Sequence, residues 1–307
     1  MKKILILMLL FALFSCKEES KQTKAIVNKP KLTKDDFKLP NYEELTLLNE
    51  PLPDPKPGDW LSEHDENGQS FDQYFKNKNL VSPSKKINII YIQPIGTFTD
   101  WEKKIIDWNT TYIQLFFGLK TVQLDPITEE SIPNDKQRIH KGNEQLHAGY
   151  IIHSLLPKKK PKDGIVIMAL TAKDLYPDPK WNFVFGLASY EKQTGVSSIF
   201  RYSDEKLNKE NYHICLRRII KTSTHEISHM FSVLHCIEAI CLMNGVNNLK
   251  EGDSRPNALC SVCLSKLSWN LNFNDLERMH NLIDFMNEHH LEEDVTILSK
   301  QRAIIAK

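Results

Sequence analysis

The chain has 307 residues, 41% of them hydrophobic and 26% charged, a size at which a hydrophobic core needs no disulfide framework. Forty Lys and Arg against thirty-nine Asp and Glu leave a formal charge of +1, which excludes the basic footprint of a nucleic-acid or anionic-membrane binder. Past the extreme N-terminus, no stretch approaches the ~18 apolar residues that a spanning helix needs.

Met1-Lys2-Lys3 is a positive head, and Ile4 to Phe14 is an unbroken apolar run of secretory length. It ends in Leu13-Phe14-Ser15-Cys16, which resembles the lipobox of bacterial lipoproteins. That resemblance implies a signal peptide over 1–15, lipidation at Cys16, and anchoring to a bacterial envelope membrane on its periplasmic face or at the cell surface. An ordinary signal peptide with an incidental cysteine is the alternative. Residues 16–57 are polar, and Pro51, Pro53, Pro55 and Pro57 fall at every second position, which forbids helix and favours extended chain. They are expected to form a flexible tether to a folded domain over 58–290, followed by a C-terminal tail over 291–307.

Within the domain, Ile87 to Ile92 is a short β-branched run, a buried-strand signal. Asp100 to Leu119 carries Trp101, Ile105, Trp108, Tyr112, Leu115 and Phe116 at helical spacing, with Asp100 a candidate cap. Strands are expected at 120–124, 164–170 and 183–189, and helices at 143–156, 211–232 and 274–288. Strand and helix alternate, so the expected class is α/β (α+β) with a mixed sheet. Lys158-Lys159-Lys160 falls at a helix end, where cations complement the dipole. Trp181 to Ser189 reads either as an edge strand able to align a peptide backbone by β-addition or as a plain core strand.

The chemistry is concentrated in His225-Glu226-Ile227-Ser228-His229. Residues four apart on a helix lie one turn above each other, so both imidazoles reach one ion and Glu226 can hold a water against it. His235 completes a three-histidine set only if the helix stops first. Metzincin-type peptidases place glycine at that stop; here the position is Ser232, at a cost of roughly 1–2 kcal/mol for a left-handed backbone. A second ligand pattern overlaps the first: Cys236, Cys241, Cys260 and Cys263 are four thiols that suit a closed tetrahedral zinc site. Two disulfides among them are the alternative in an exported protein. Cys215 reads as a buried small apolar residue. His140, His147, His153, His213, His280, His289 and His290 have no ligand spacing and read as surface or satisfied polar residues.

His225 to Cys263 resembles the archaemetzincin signature, in which three histidines are followed at once by Cys, then C-x-M, then a C-x-x-C pair. Cys241-Leu242-Met243-Asn244-Gly245, Arg255-Pro256 and Cys260 through Leu267 also look like the family, and upstream Tyr91 to Gly96, Asp174-Leu175-Tyr176-Pro177, Trp181 through Gly186 and Arg201-Tyr202 match in order, so the similarity covers roughly residues 58–275. The resemblance implies a metzincin-like zinc peptidase with a catalytic ion on His225, His229 and His235, a structural ion on the four cysteines, and Met243 packed beneath the site. It also implies two zinc ions per chain and a peptide or protein substrate. Glu226 is then the general base that takes a proton from zinc-bound water and returns it to the leaving amine. The rival is a non-catalytic, zinc-stabilised surface-binding lipoprotein on the same fold, should Ser232 distort the third ligand. A monomer with no nucleic-acid partner is expected in either case.

Overall fold

The computed structural model describes residues 37, 39–203 and 205–307; the expected signal peptide, Cys16 and tether residues 17–36 lie outside them. Tyr42–Thr46 (α1) is a single helical turn whose Leu45, with Leu39 before it, is buried in the core. The proline stretch after it is extended, as its residues require, but it is docked. Leu52 N–H donates to the Glu238 carbonyl at 3.2 Å and Ile240 N–H to that of Glu50 at 2.8 Å. The tether reading is therefore corrected from Leu39 onward: buried leucines and backbone pairing hold 39–57 on the domain. Trp60–Glu63 (α2) and Phe71–Phe75 (α3) follow, the latter closed by a reciprocal Ser70–Gln73 capping box.

The strands are β1 (Ile89–Ile95), β2 (Thr121–Gln123), β3 (Gln137–His140), β4 (Asn143–His147), β5 (Gly164–Thr171), β6 (Asp174–Tyr176), β7 (Gly186–Ser189) and β8 (Thr194–Ser198). Five make a mixed sheet in the order β2-β1-β5-β8-β7, parallel except for antiparallel β7 at the edge. β5 is buried along its whole length, as a central parallel strand should be. The other three strands form a small sheet, β3-β4-β6. Asp100–Phe117 (α4) lies between β1 and β2, and its buried Ile105, Ile106, Asn109, Tyr112, Ile113, Phe116 and Phe117 follow the helical period. Its cap is Thr99, which pairs reciprocally with Glu102, so Asp100 is the first helical residue and not the cap.

The helix expected over 143–156 is corrected at its start. Residues 143–147 are β4, turned from β3 through Lys141 and Gly142, both at positive φ, and paired to β6 on the other side. Helix begins only at Ala148–Tyr150 (α5) and runs through a π-turn over Ile151–Leu155 to Leu156–Lys159 (α6), and its Ile151, Ile152, Leu155 and Leu156 share one buried apolar cluster with Ile167, Ala169 and Val196 of the main sheet. Tyr212–Met230 (α7) packs against α4 and the β7–β8 edge. Leu249–Asp253 (α8), Ser261–Leu271 (α9) and Asp275–Glu288 (α10) follow. The expected tail is a helix, Glu292–Ile305 (α11), packed on α10 and α1. It is part of the body because Leu298, Ile304 and Ile305 are buried and Asp294 accepts from Asn257 and Arg217.

Candidate active site

The C-terminal half of α7 carries His225, Glu226 and His229 on one face, and its end decides where the third histidine goes. Ser232 N–H donates to the His229 carbonyl at 2.8 Å and Val233 N–H to that of Ser228 at 3.1 Å. This is the paired 5→2 and 6→1 bonding of a Schellman stop with Ser232 at the left-handed position, and its φ is 69°. The reversal is also clamped from outside: Ser232 Oγ accepts from Val81 N–H at 3.3 Å, and its carbonyl accepts from Gln69 Nε2 at 3.1 Å.

The chain then returns His235 to the other two. His225 Nε2 is 2.9 Å from His229 Nε2 and 3.3 Å from His235 Nε2. Each opposite ring nitrogen has its own acceptor. His225 Nδ1 donates to the Leu242 carbonyl at 2.9 Å, His229 Nδ1 to that of Val233 at 2.7 Å, and His235 Nδ1 to Glu66 Oε1 at 2.7 Å; the Tyr190 hydroxyl oxygen also lies 2.8 Å from His229 Nδ1. With the Nδ1 protons so placed, three unprotonated Nε2 lone pairs face one another with no donor among them. A cation resolves that arrangement, and three imidazoles held by carbonyl and carboxylate partners fit zinc. Burial, and then the neighbouring His235, pull His225 down to about 3, so protonation is a poor substitute for a metal. Around Glu66, burial works upward, but the hydrogen bond and charge of His235 overcome it and hold the carboxylate low.

Glu226 projects beside the triad into a cleft of about 510 Å³, where burial raises its carboxyl to about 8 in the absence of a cation. Edge strand β7 forms the facing wall. Gly186 makes that approach possible: a Cβ there would stand 2.9 Å from Thr222 Cγ2 and 3.0 Å from Glu226 Cγ. The segment after Trp181 is thus an edge and not a core strand, although only 186–189 are regular strand.

Behind the triad the four sulfurs of Cys236, Cys241, Cys260 and Cys263 lie within 4.8 Å of one another. All four thiols are free, and Cys236 Sγ and Cys260 Sγ are 3.8 Å apart, far beyond a bonded S–S distance of about 2 Å. Cys260 is the residue just before α9, without a side-chain bond to its first turn, and Cys263 sits in that turn, where the helix dipole favours anionic sulfur. Cys241 Sγ accepts from the backbone of Cys260 at 3.2 Å and of Met243 at 3.4 Å. Burial, reinforced by the other sulfurs, holds the Cys241 thiol well up. Hydrogen bonds from the neighbouring thiols hold Cys236 low, whereas the other sulfurs and burial hold Cys263 up along with Cys241, so the four thiols do not all ionise without a cation, and four buried sulfurs so placed fit zinc. Met243 is fully buried and Cys215 is buried in α7. Among the plain histidines, His147 caps α5 through Nδ1 and none of the others joins either ligand set.

Glu66, Tyr190 and the Leu242 carbonyl were not legible as site groups in the sequence. Glu66 lies 169 positions from the histidine it holds, and a backbone carbonyl leaves no compositional trace; only the ring geometry reveals them.

The family model described as Peptidase family M54 matches residues 159–269. Human archaemetzincin-2 is 34% identical over 313 residues, covering 88% of this chain and 86% of its own, and mouse archaemetzincin-2 is 34% identical with 82% and 79% covered. Among solved structures, archaemetzincin from Methanopyrus kandleri aligns with TM-score 0.50 and 25% identity, covering 62% of this chain and 99% of that one. Similarity at this level over most of both sequences, joined to a fold of the same kind, establishes that the chain belongs to the archaemetzincin family of zinc metallopeptidases.

Proposed function

We propose that His225, His229 and His235 hold the catalytic zinc, that Glu226 is the general base of peptide-bond hydrolysis, and that the four cysteines hold a second, structural zinc. The observation that carries this is the convergence of three Nε2 atoms whose Nδ1 partners are already satisfied, with a carboxylate beside them in an open cleft. Zinc bound there would supply Lewis acidity, polarising a scissile carbonyl and lowering the pKa of water to about 7. The protein's own groups do the rest. β7 offers free edge backbone along which a peptide can lie, Glu226 takes a proton from the attacking water and passes it to the departing amine, and Glu66 and the Leu242 and Val233 carbonyls fix the imidazole orientations. The Cys set stabilises the loop that delivers His235.

The binding-module alternative rested on Ser232 displacing the third ligand; the Schellman geometry at Ser232 and the close approach of His235 Nε2 favour the enzyme. We further propose, from the lipobox resemblance at Cys16, that the protein is lipid-anchored in a bacterial envelope. The decisive experiment is Glu226→Gln: peptide turnover should fall about 10²- to 10⁴-fold while elemental analysis still finds about two zinc per chain. Full turnover in the variant would refute Glu226 as base, and one zinc or none would refute the two-site assignment.

A further inference from the structure

The cleft does not end at the histidines. It continues along α7 toward α8, and its far wall carries Arg218, Lys221 and Arg255. Lys221 lies one helical turn before His225, about 6 Å along the axis, and is only 8% exposed. Its ammonium donates to the Gly252 carbonyl at 2.6 Å, and among the described residues no carboxylate lies within ion-pair distance of it.

The carboxylates nearby are committed elsewhere. Asp253 is taken by a bidentate pair with Arg218, at 3.0 Å to Nε and 2.7 Å to Nη2. Glu251 accepts from the backbone of Trp60 and Asn247 and stands 3.8 Å from Arg255. Arg255 is also 8% exposed, and its Nε is buried without a hydrogen-bond partner. Two buried cationic side chains with unused donors therefore line one pocket, whose remaining wall includes apolar Val246 and Leu249. Burial pulls the Lys221 ammonium down to about 7. An incoming anion would reverse that penalty, since a buried charge is tolerated when it is paired.

From this geometry we infer that the pocket beside Lys221 and Arg255 binds a carboxylate of the substrate next to the cleaved bond, so that the enzyme prefers acidic peptides. The inference rests on the peptidase reading and adds to it a substrate class. The carboxylate has two sources, an Asp or Glu side chain or the free C-terminus of a short peptide, and both present the same chemistry to an ammonium and a guanidinium.

The test gives zinc-loaded protein a library of C-terminally amidated peptides and maps the cleaved bonds by mass spectrometry. The best sequence is remade with Glu or Gln at each position flanking that bond, and again with a free C-terminus. Glu should exceed Gln in kcat/KM by at least about tenfold. That ratio should fall to within about twofold in Lys221→Met and persist in Lys221→Arg. Because the ratio is taken within each variant, loss of folded protein cancels. An advantage that follows the free C-terminus identifies that end as the carboxylate bound. Equal rates for all versions overturn the inference and leave the peptidase reading intact, as does a preference that survives Lys221→Met. If no peptide is cleaved, the peptidase reading fails, and calorimetric titration of the Glu and Gln peptides decides: tighter binding of the acidic one sustains the inference, and equal binding ends it.

Discussion

Ser232 stands at the left-handed stop of α7 with φ 69°, where glycine would relax the backbone by about 1–2 kcal/mol. Its hydroxyl, however, accepts from Val81 N–H, a bond worth about 0.5–1.5 kcal/mol, and glycine also gives the unfolded chain more freedom to lose. These terms nearly cancel. Ser232→Gly is expected to change the melting temperature by no more than about 3 °C, read by calorimetry on zinc-loaded protein, while Ser232→Val should destabilise clearly because a β-branched residue resists positive φ. The motif's departure from glycine is thus compensated by a partner from a segment some 150 positions upstream, which no local pattern could have disclosed.

At the level of elements, what was legible was what carries its own periodicity. α4 and α7 bury apolar residues at helical spacing, and β5 is a continuous apolar run; these survive any context. The β3–β4 hairpin was not legible because its few apolar residues include Ile139, which is 77% exposed, so β4 is a strand through its pairing with β3 and β6. The two ends misled in opposite ways. Alternate prolines reported extended chain correctly over 51–57 but said nothing of what that chain would dock against, and α11 has a weak apolar stripe whose partners lie on α10 and α1. The two candidate ligand sets, in contrast, stand out by residue type and spacing alone, so both could be proposed before any fold. Deletion of residues 292–307 should therefore be costly. It uncovers the partners of Leu298, Ile304 and Ile305 and strips Asp294 from Arg217, so at about 1.5–3 kcal/mol per aliphatic side chain the loss is roughly 5 kcal/mol or more, seen as a lower denaturation midpoint or as insoluble protein. A truncated chain with native stability would show that α11 is a mere appendage.

For the molecule as a whole, the metal-free state has a charge problem that depends on pH. Burial and mutual repulsion keep His225 near 3 and His229 well below the ordinary 6.5, whereas the unfolded chain takes up those protons near 6.5. Between these values the unfolded state binds more protons, so the stability present above pH 6.5 is lost as the pH falls. Glu226, raised to about 8, acts the other way between 4.5 and 8, but it is one group against two histidines. Chelator-treated protein should consequently melt at progressively lower temperature from pH 6.5 to 5, and zinc should flatten that dependence near neutrality by occupying the same lone pairs. An unchanged melting temperature across this window would mean that the histidines are free to protonate in the fold.

His235 and Cys236 are neighbours in sequence, and Leu242, whose carbonyl orients His225, follows Cys241 directly. Cys236 N–H donates to the Met243 carbonyl at 2.8 Å, and Asn244 Nδ2 to the Cys236 carbonyl at 2.7 Å, so one short loop belongs to both ligand sets at once. Two ions held through a shared backbone obey reciprocity: whatever factor one contributes to the other's affinity is returned in full. Under the two-zinc assignment, loading is therefore cooperative, and the cysteine set, having four ligands against three, is the deeper well from which that cooperativity is drawn. Cys260→Ser should then weaken zinc at the histidines, to which it contributes no atom, and competitive titration against a chromophoric chelator should find both affinities lowered together. In a metal-poor compartment the enzyme would lose activity by losing the loop first, making the structural ion the gauge to which the catalytic one answers.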